Sequence, residues 1–143
     1  MPADDEGAIR VLAVAYAHHA DRREPDLLAA LFEPEAPLRM VWRSGSTPPA
    51  ESRGHHQIAR VVGRLRQFAT TFHFVGNHLI DVAGDEATGE VYCEAHHLTA
   101  EGVDHVMFIR YRDRYRRLDT TWRFAERELL VEWMEERAPV IRG

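Results

Sequence analysis

The sequence predicts an α+β fold, with helices packed on one face of a curved, mixed or antiparallel sheet. Two observations carry this. Apolar residues recur at helical spacing in the first half, and from residue 71 onward the hydrophobic period changes to two. A third observation fixes the strand count. The turn signals Ala83-Gly84-Asp85, Glu101-Gly102 and Leu118-Asp119-Thr120 divide the second half into four long strands, with no repeat and no linker. Helices first and a long meander afterwards means helices gathered on one side of the sheet. The chain has 143 residues, so one domain spanning 1–143 is expected, with a core of its own.

The elements follow in order. Ile9, Leu12, Ala13, Tyr16, Ala17 and Ala20 form one stripe, so residues 5–20 read as an amphipathic helix, with Asp4 or Asp5 available to cap it. Asp21 lies four residues beyond Ala17, at the edge of that stripe. Asp26 to Phe32 reads as a second short helix, with Pro25 suited to its first turn. Leu38, Met40 and Trp42 alternate with Arg39, Val41 and Arg43 and mark a strand. Ser44 to Arg53, rich in Ser, Pro and Gly, reads as the main loop. Ile58, Val61, Val62, Leu65 and Phe68 mark a third helix. Four strands then run at 71–83, 86–98, 105–117 and 122–133.

Register makes a pocket checkable. A tight turn at Gly84 and Asp85 is expected to set His73 opposite His97, Val75 opposite Ala95 and Asn77 opposite Cys93, all on one face. In the last hairpin, Arg114 should oppose Glu126, Arg112 oppose Glu128, Asp113 oppose Arg127 and Tyr111 oppose Leu129. Arg110, Arg112, Arg114 and Arg116 then share a polar face countered by Glu126 and Glu128. The other face carries Met107, Ile109 and Tyr111 and continues the side holding His73, Ala95, Cys93 and His97. A single cavity is expected on that apolar, aromatic face, closed by the three helices.

Composition excludes several classes. Net charge is −5, without a basic block or an RNA-binding aromatic signature, which argues against nucleic acid as a partner. One cysteine, Cys93, excludes an intrachain disulfide framework and a cysteine-based zinc site, and it fits a reducing cytoplasm. The acidic N-terminus has no hydrophobic run of the signal-peptide kind, and no stretch approaches the ~20 apolar residues of a membrane span.

Asp21 and His73 are the candidate catalytic pair. A carboxylate beside an imidazole fixes its tautomer and stabilises its charged form, while the imidazole moves the proton. The bland alternative is a buried structural pair. His97 shares the face and is either a second acid–base group or a packed core imidazole. Tyr16 and Tyr111 could offer a hydroxyl to a substrate oxygen, or could simply be buried with that hydroxyl satisfied. The adjacent histidine pairs invite a metal reading, but neighbours on a strand face opposite ways, so only His73 and His97 converge. With Asp21 they make an acid–base constellation better than a metal site, and no metal is expected. Cys93 reads as packing.

At these residues the chain resembles the SnoaL-like superfamily of nuclear-transport-factor-2-like folds, in the branch of scytalone dehydratase, bile-acid dehydratase and dehydrochlorinase. The matching segments are Tyr16-Ala17, Asp21, Leu27-Leu28, Leu31-Phe32, Gly54, Ile58, the run His73 to Asn77, Gly84-Asp85, Ala87, the run Tyr111 to Tyr115, and Trp122-Arg123-Phe124. The resemblance implies a cone-shaped curved sheet closed by helices around one cavity. It implies an Asp–His dyad at Asp21 and His73, with a second cavity histidine at His97. An Arg/Glu-patterned outer sheet and a C-terminal tail carrying Trp133, Met134, Val140 and Ile141 lead to the expectation of a homo-oligomer; the resemblance implies a trimer, with a dimer as the alternative. Two departures stand out: Ala20 replaces a tyrosine before the aspartate, and Ile109 and Tyr111 replace polar residues on the penultimate strand. The dyad therefore carries over and the carbonyl-polarising apparatus does not.

The expectation is a cofactor-independent lyase of dehydratase type, acting on a hydrophobic cyclic carbonyl compound. His73 would act as base, Asp21 would orient it, and Val75, Asn77, Cys93, Ala95, Met107, Ile109 and Leu129 would line the pocket with Tyr16 and Tyr111. The alternatives are a polyketide cyclase or double-bond isomerase using the same base, and a non-catalytic binding or assembly module of the kind found in aromatic-ring dioxygenases.

Overall fold

A computed structural model describes residues 4–142; the outermost positions of the expected 1–143 domain, 1–3 and 143, lie outside the described residues. Six strands form one sheet in the order β2-β1-β6-β5-β4-β3, and the helices pack on one of its faces. Helix α1, Asp5–Asp21, buries the stripe read from the sequence. Asp5 and Glu6 sit at its positive end and His18 and His19 at its negative end, matching the helix dipole. Helix α2, Pro25–Ala29, is shorter than the 26–32 expected. Phe32 leaves it to bridge Phe124, and Leu31 and Glu33 exchange backbone hydrogen bonds with Phe124 at 2.9 Å. Sheet pairing outcompetes another helical turn.

Strand β1, Pro37–Trp42, runs parallel to β6, and β2, Ala50–Arg53, pairs antiparallel to β1. The end of the expected loop 44–53 is therefore a strand. It is a short polar edge strand whose backbone pairs without an apolar face, supported by an Arg39–Glu51 ion pair at 3.3 Å. Helix α3, Gly54–Gly63, begins earlier than expected and ends as a 3-10 turn, Arg64–Gln67. Its first residue, Gly54, has φ +84, and a Cβ there would lie 3.3 Å from the Pro34 carbonyl oxygen.

Strands β3 (Thr70–Ala83), β4 (Glu86–Leu98), β5 (Asp104–Leu118) and β6 (Thr121–Arg137) form the expected meander. The first hairpin corrects the expected register. Thr71 opposes His97, His73 opposes Ala95 and Val75 opposes Cys93. The two-residue turn pairs Ala83 with Glu86, odd with even. A bulge between Val75 and His78 then takes up one residue of β3 and restores odd with odd. The face holding His73, Ala95 and His97 is as expected, but His73 sits one pair further from His97. The β5–β6 register is as expected, with Tyr111 opposite Leu129, Arg112 opposite Glu128, Asp113 opposite Arg127 and Arg114 opposite Glu126.

The core lies between α1 and the inner sheet face. Tyr16, Phe32, Tyr111, Tyr115 and Phe124 are buried there around Arg127, which is 0% exposed. These side chains fill that part of the inner face. Gly89 permits this packing, since a Cβ on it would meet the Tyr115 hydroxyl at 2.7 Å. No helix among the described residues is long and apolar enough to cross a membrane.

Candidate active site

Asp21 is the last residue of α1, and β3 carries Thr71 and His73 on the face turned toward it. His73 Nδ1 lies 2.7 Å from Asp21 Oδ1, and the His73 backbone N–H donates to Oδ2 at 2.9 Å. A carboxylate only accepts, so Nδ1 carries a proton, and in the neutral ring Nε2 is the acceptor. The Thr71 hydroxyl donates to Oδ1 at 2.9 Å. Burial alone would raise the Asp21 pKa. Hydrogen bonds from His73, the attraction of that ring when it is protonated, and the Thr71 hydroxyl outweigh burial and hold the carboxyl below its ordinary value.

His97 is buried, with its ring 5.7 Å from that of His73 in an edge-on arrangement. Its Nδ1–H donates to the His105 carbonyl at 3.0 Å, which again leaves Nε2 as an acceptor. Burial lowers its pKa; the His105 carbonyl opposes this and the neighbouring His73 adds to it. Burial thus favours the neutral ring of His97, in which Nε2 is the acceptor.

The remaining expected site residues divide. Ala95, Cys93 and Ile109 are buried on the inner face, and Val75, Met107 and Leu129 are half-buried there, so the wall near the dyad is aliphatic and incompletely closed. Burial pushes the Cys93 thiol up to about 12, in keeping with packing. Asn77 does not join this wall. It is exposed in the β3 bulge, because the extra residue there breaks the alternation that would have turned it inward. Tyr16 and Tyr111 are brought together, their rings 5.5 Å apart, but they enclose Arg127, whose guanidinium carbon lies 4.3 Å and 3.6 Å from the two ring centres. Burial raises both phenol pKa values, that of Tyr16 to about 12.

Three features escaped sequence reasoning. Thr71 sits two residues before His73, hence on the same strand face, a parity signal that was readable. Arg23 donates to Thr71 Oγ1 at 2.9 Å and to the Phe68 carbonyl at 3.1 Å, and nothing in the sequence marks it. Arg127 and Asp113 form a buried ion pair at 2.9 Å. The sequence sets the two opposite one another across β5 and β6, both at odd positions of the inner face. The Arg127 Nη1 atom is buried without a hydrogen-bond partner among the described residues. Among those residues, no group of three or more His, Cys, Asp or Glu side chains is arranged to hold a metal ion.

The fold and site define a curled sheet with helices on its inner face and an aspartate–histidine pair between first helix and sheet. The SnoaL-like domain family matches residues 1–128, and the chain belongs to that family. It is similar to a protein assigned as a scytalone dehydratase from Novosphingobium aromaticivorans, at 25% identity and TM-score 0.79, covering 97% of this chain and 90% of that one. It also superposes on the hexachlorocyclohexane dehydrochlorinase LinA-type3 of Novosphingobium barchaimii, at 18% identity and TM-score 0.80, over 96% and 93% of the two chains. An NTF2-like protein with a cystatin-like fold from Novosphingobium aromaticivorans matches at 22% identity and TM-score 0.73, over 89% and 81%. Comparison with the curated proteins returns no significant match.

Proposed function

We propose that the protein is a cofactor-independent lyase that eliminates water from a hydrophobic, cyclic β-hydroxy carbonyl compound. The observation that carries this is the 2.7 Å contact between His73 Nδ1 and Asp21 Oδ1, which leaves Nε2 as a base. His73 Nε2 takes the proton alpha to the carbonyl. The C–H electron pair becomes the new C=C bond, the C–O bond to the β-hydroxyl breaks, and the departing oxygen takes the proton back from the imidazolium as water. Asp21 stabilises that imidazolium while it exists. His97, neutral with Nε2 free, orients the leaving hydroxyl by accepting its hydrogen bond. Tyr16 and Tyr111 stay protonated and are the candidates to polarise the carbonyl. Val75, Ala95, Met107, Ile109 and Leu129 supply apolar contact. The scytalone dehydratase and dehydrochlorinase names of the similar structures support an elimination. The test is a screen of β-hydroxy ketones for new conjugated absorbance. His73→Ala and Asp21→Asn should each lower the rate ~10²–10⁴-fold, with the double variant little worse than either. Equal rates in wild type and His73→Ala would remove the catalytic claim.

We also propose that a second copy of the chain covers the outer sheet face. Phe72, Phe74 and Trp133 are 61%, 63% and 54% exposed there, beside Tyr92 and Phe108. They lie among a row of arginines on β5 and glutamates on β4 and β6, with Arg112 paired to Glu128 and Arg110 near Glu90 and Glu132. Such a surface is complementary to itself, as a homo-oligomer needs. The single buried thiol accords with a reducing, cytoplasmic setting.

A further inference from the structure

The C-terminus of α1 holds an anomaly. Arg23 has φ +60, the left-handed region where a helix normally ends in glycine. The turn is closed by backbone bonds from Arg23 N–H to the Ala20 carbonyl at 3.3 Å and from Glu24 N–H to the His19 carbonyl at 2.9 Å. Those bonds need the conformation but not the side chain, so glycine would serve the turn better. The side chain reaches away from the helix. Its Nη1 donates to Thr71 Oγ1 and its Nη2 to the Phe68 carbonyl, and among the described residues no carboxylate lies within ion-pair distance of it.

The consequence lies in the Thr71 hydroxyl, which is buried and has one proton. A guanidinium only donates, so it takes a lone pair of the hydroxyl and leaves the proton to point at Asp21 Oδ1. That oxygen then holds both the Thr71 and His73 Nδ1 hydrogen bonds, and Oδ2 holds the His73 backbone N–H, which fixes the carboxylate plane. The threonine also keeps the arginine one hydroxyl away from the aspartate. A direct Arg–Asp pair would draw the carboxylate off the imidazole.

We infer that Arg23 and Thr71 are positioning residues that aim the Asp21 carboxylate at His73, the left-handed backbone at Arg23 being retained for that purpose. This rests on the reading of Asp21 and His73 as the working base.

The test is proton NMR of the ¹⁵N-labelled full chain, following the hydrogen-bonded His73 Nδ1–H and its exchange with water, alongside thermal melting. Arg23→Gly should fold with an unchanged or higher Tm, because glycine suits the backbone. Its Nδ1–H should nonetheless exchange roughly tenfold faster or more, as local opening becomes easier. Thr71→Val should do the same, and Thr71→Ser, which keeps the hydroxyl, should restore the wild-type signal. An unchanged signal in both Arg23→Gly and Thr71→Val overturns the proposal, as does an Arg23→Gly protein that loses stability but keeps the signal. Failure of the catalytic reading looks different: the signal responds as expected, yet His73→Ala turns over substrate like wild type.

Discussion

Replacing Asp113 with alanine should cost this fold more than any surface change. Asp113 is 4% exposed and Arg127 0%, and they meet at 2.9 Å. Burial works against charge on the guanidinium, but Asp113 and the surrounding phenols hold its proton more firmly than usual. Removing the carboxylate strands that charge in the core, which costs ~3–5 kcal/mol for a buried pair. The rings of Tyr111, Tyr16 and Phe124, at 3.6, 4.3 and 4.6 Å, still face the cation. Contacts of that kind contribute about 2 kcal/mol when desolvated, so the loss should fall toward the lower bound, about 3 kcal/mol. At ~3–4 °C per kcal/mol for a chain of this size, Tm should drop by about 10 °C. Arg127→Met loses the same ion pair. The double variant Asp113→Leu with Arg127→Met replaces it with apolar groups and should recover most of the loss. Thermal and urea melts followed by circular dichroism measure the wild type, both single variants, Asp113→Leu alone, and the double variant. Single losses under ~1 kcal/mol that simply add in the double variant would refute the reasoning.

Three further outcomes are expected. His96 lies 2.6 Å from Asp104 and 2.7 Å from Glu94; burial works against its charge, but the two carboxylates raise its pKa above the ordinary value. Its stabilisation is therefore full below the unfolded value near ~6.5 and fades as pH rises through the folded one, so urea melts from pH 6 to 9 should show a decline that His96→Gln lacks. Asp21 has a lowered pKa, so its contribution is present above the unfolded value near ~3.9 and is lost as pH falls through the folded one. Asp21→Asn should flatten that acid limb; an identical limb in the variant would mean that other carboxylates set it. Trp133→Glu, placed beside Glu132 and Glu135 on the open sheet face, should shift light-scattering mass toward the 16.4 kDa chain, and a wild type already monomeric at micromolar concentration would sink the assembly proposal.

How much of this was legible depended on whether a feature had a period. The α1 stripe and the strand alternation did, and they located the inner face and the β5–β6 register. Strand β2 did not: Ala50, Glu51, Ser52 and Arg53 bury no apolar face and pair only through backbone. The end of α2 was invisible because it depends on Phe124, far along the chain. The bulge had a local hint, since glycine inside a strand pattern often marks one, and Gly76 lies there. Asp21 and His73 could be placed because one sits on the helix stripe and the other on the strand face. Arg23 could not, because a left-handed arginine looks like any other arginine until φ is known.

The bulge also explains why the dyad can form. Without it the register set by the Ala83–Glu86 turn would continue, pairing His73 with His96 and turning the imidazole to the outer face. The observed register sets His73 against Ala95, which is fully buried and the smallest inner-facing side chain on that stretch of β4. The His73 ring can then lie over the methyl group, reach back to Asp21 on the helix, and still meet His97 as a diagonal neighbour. Thr71, moved opposite His97, is brought under the helix terminus where Arg23 holds it. One extra residue in β3 therefore turns His73 to the inner face, opposite the small side chain of Ala95.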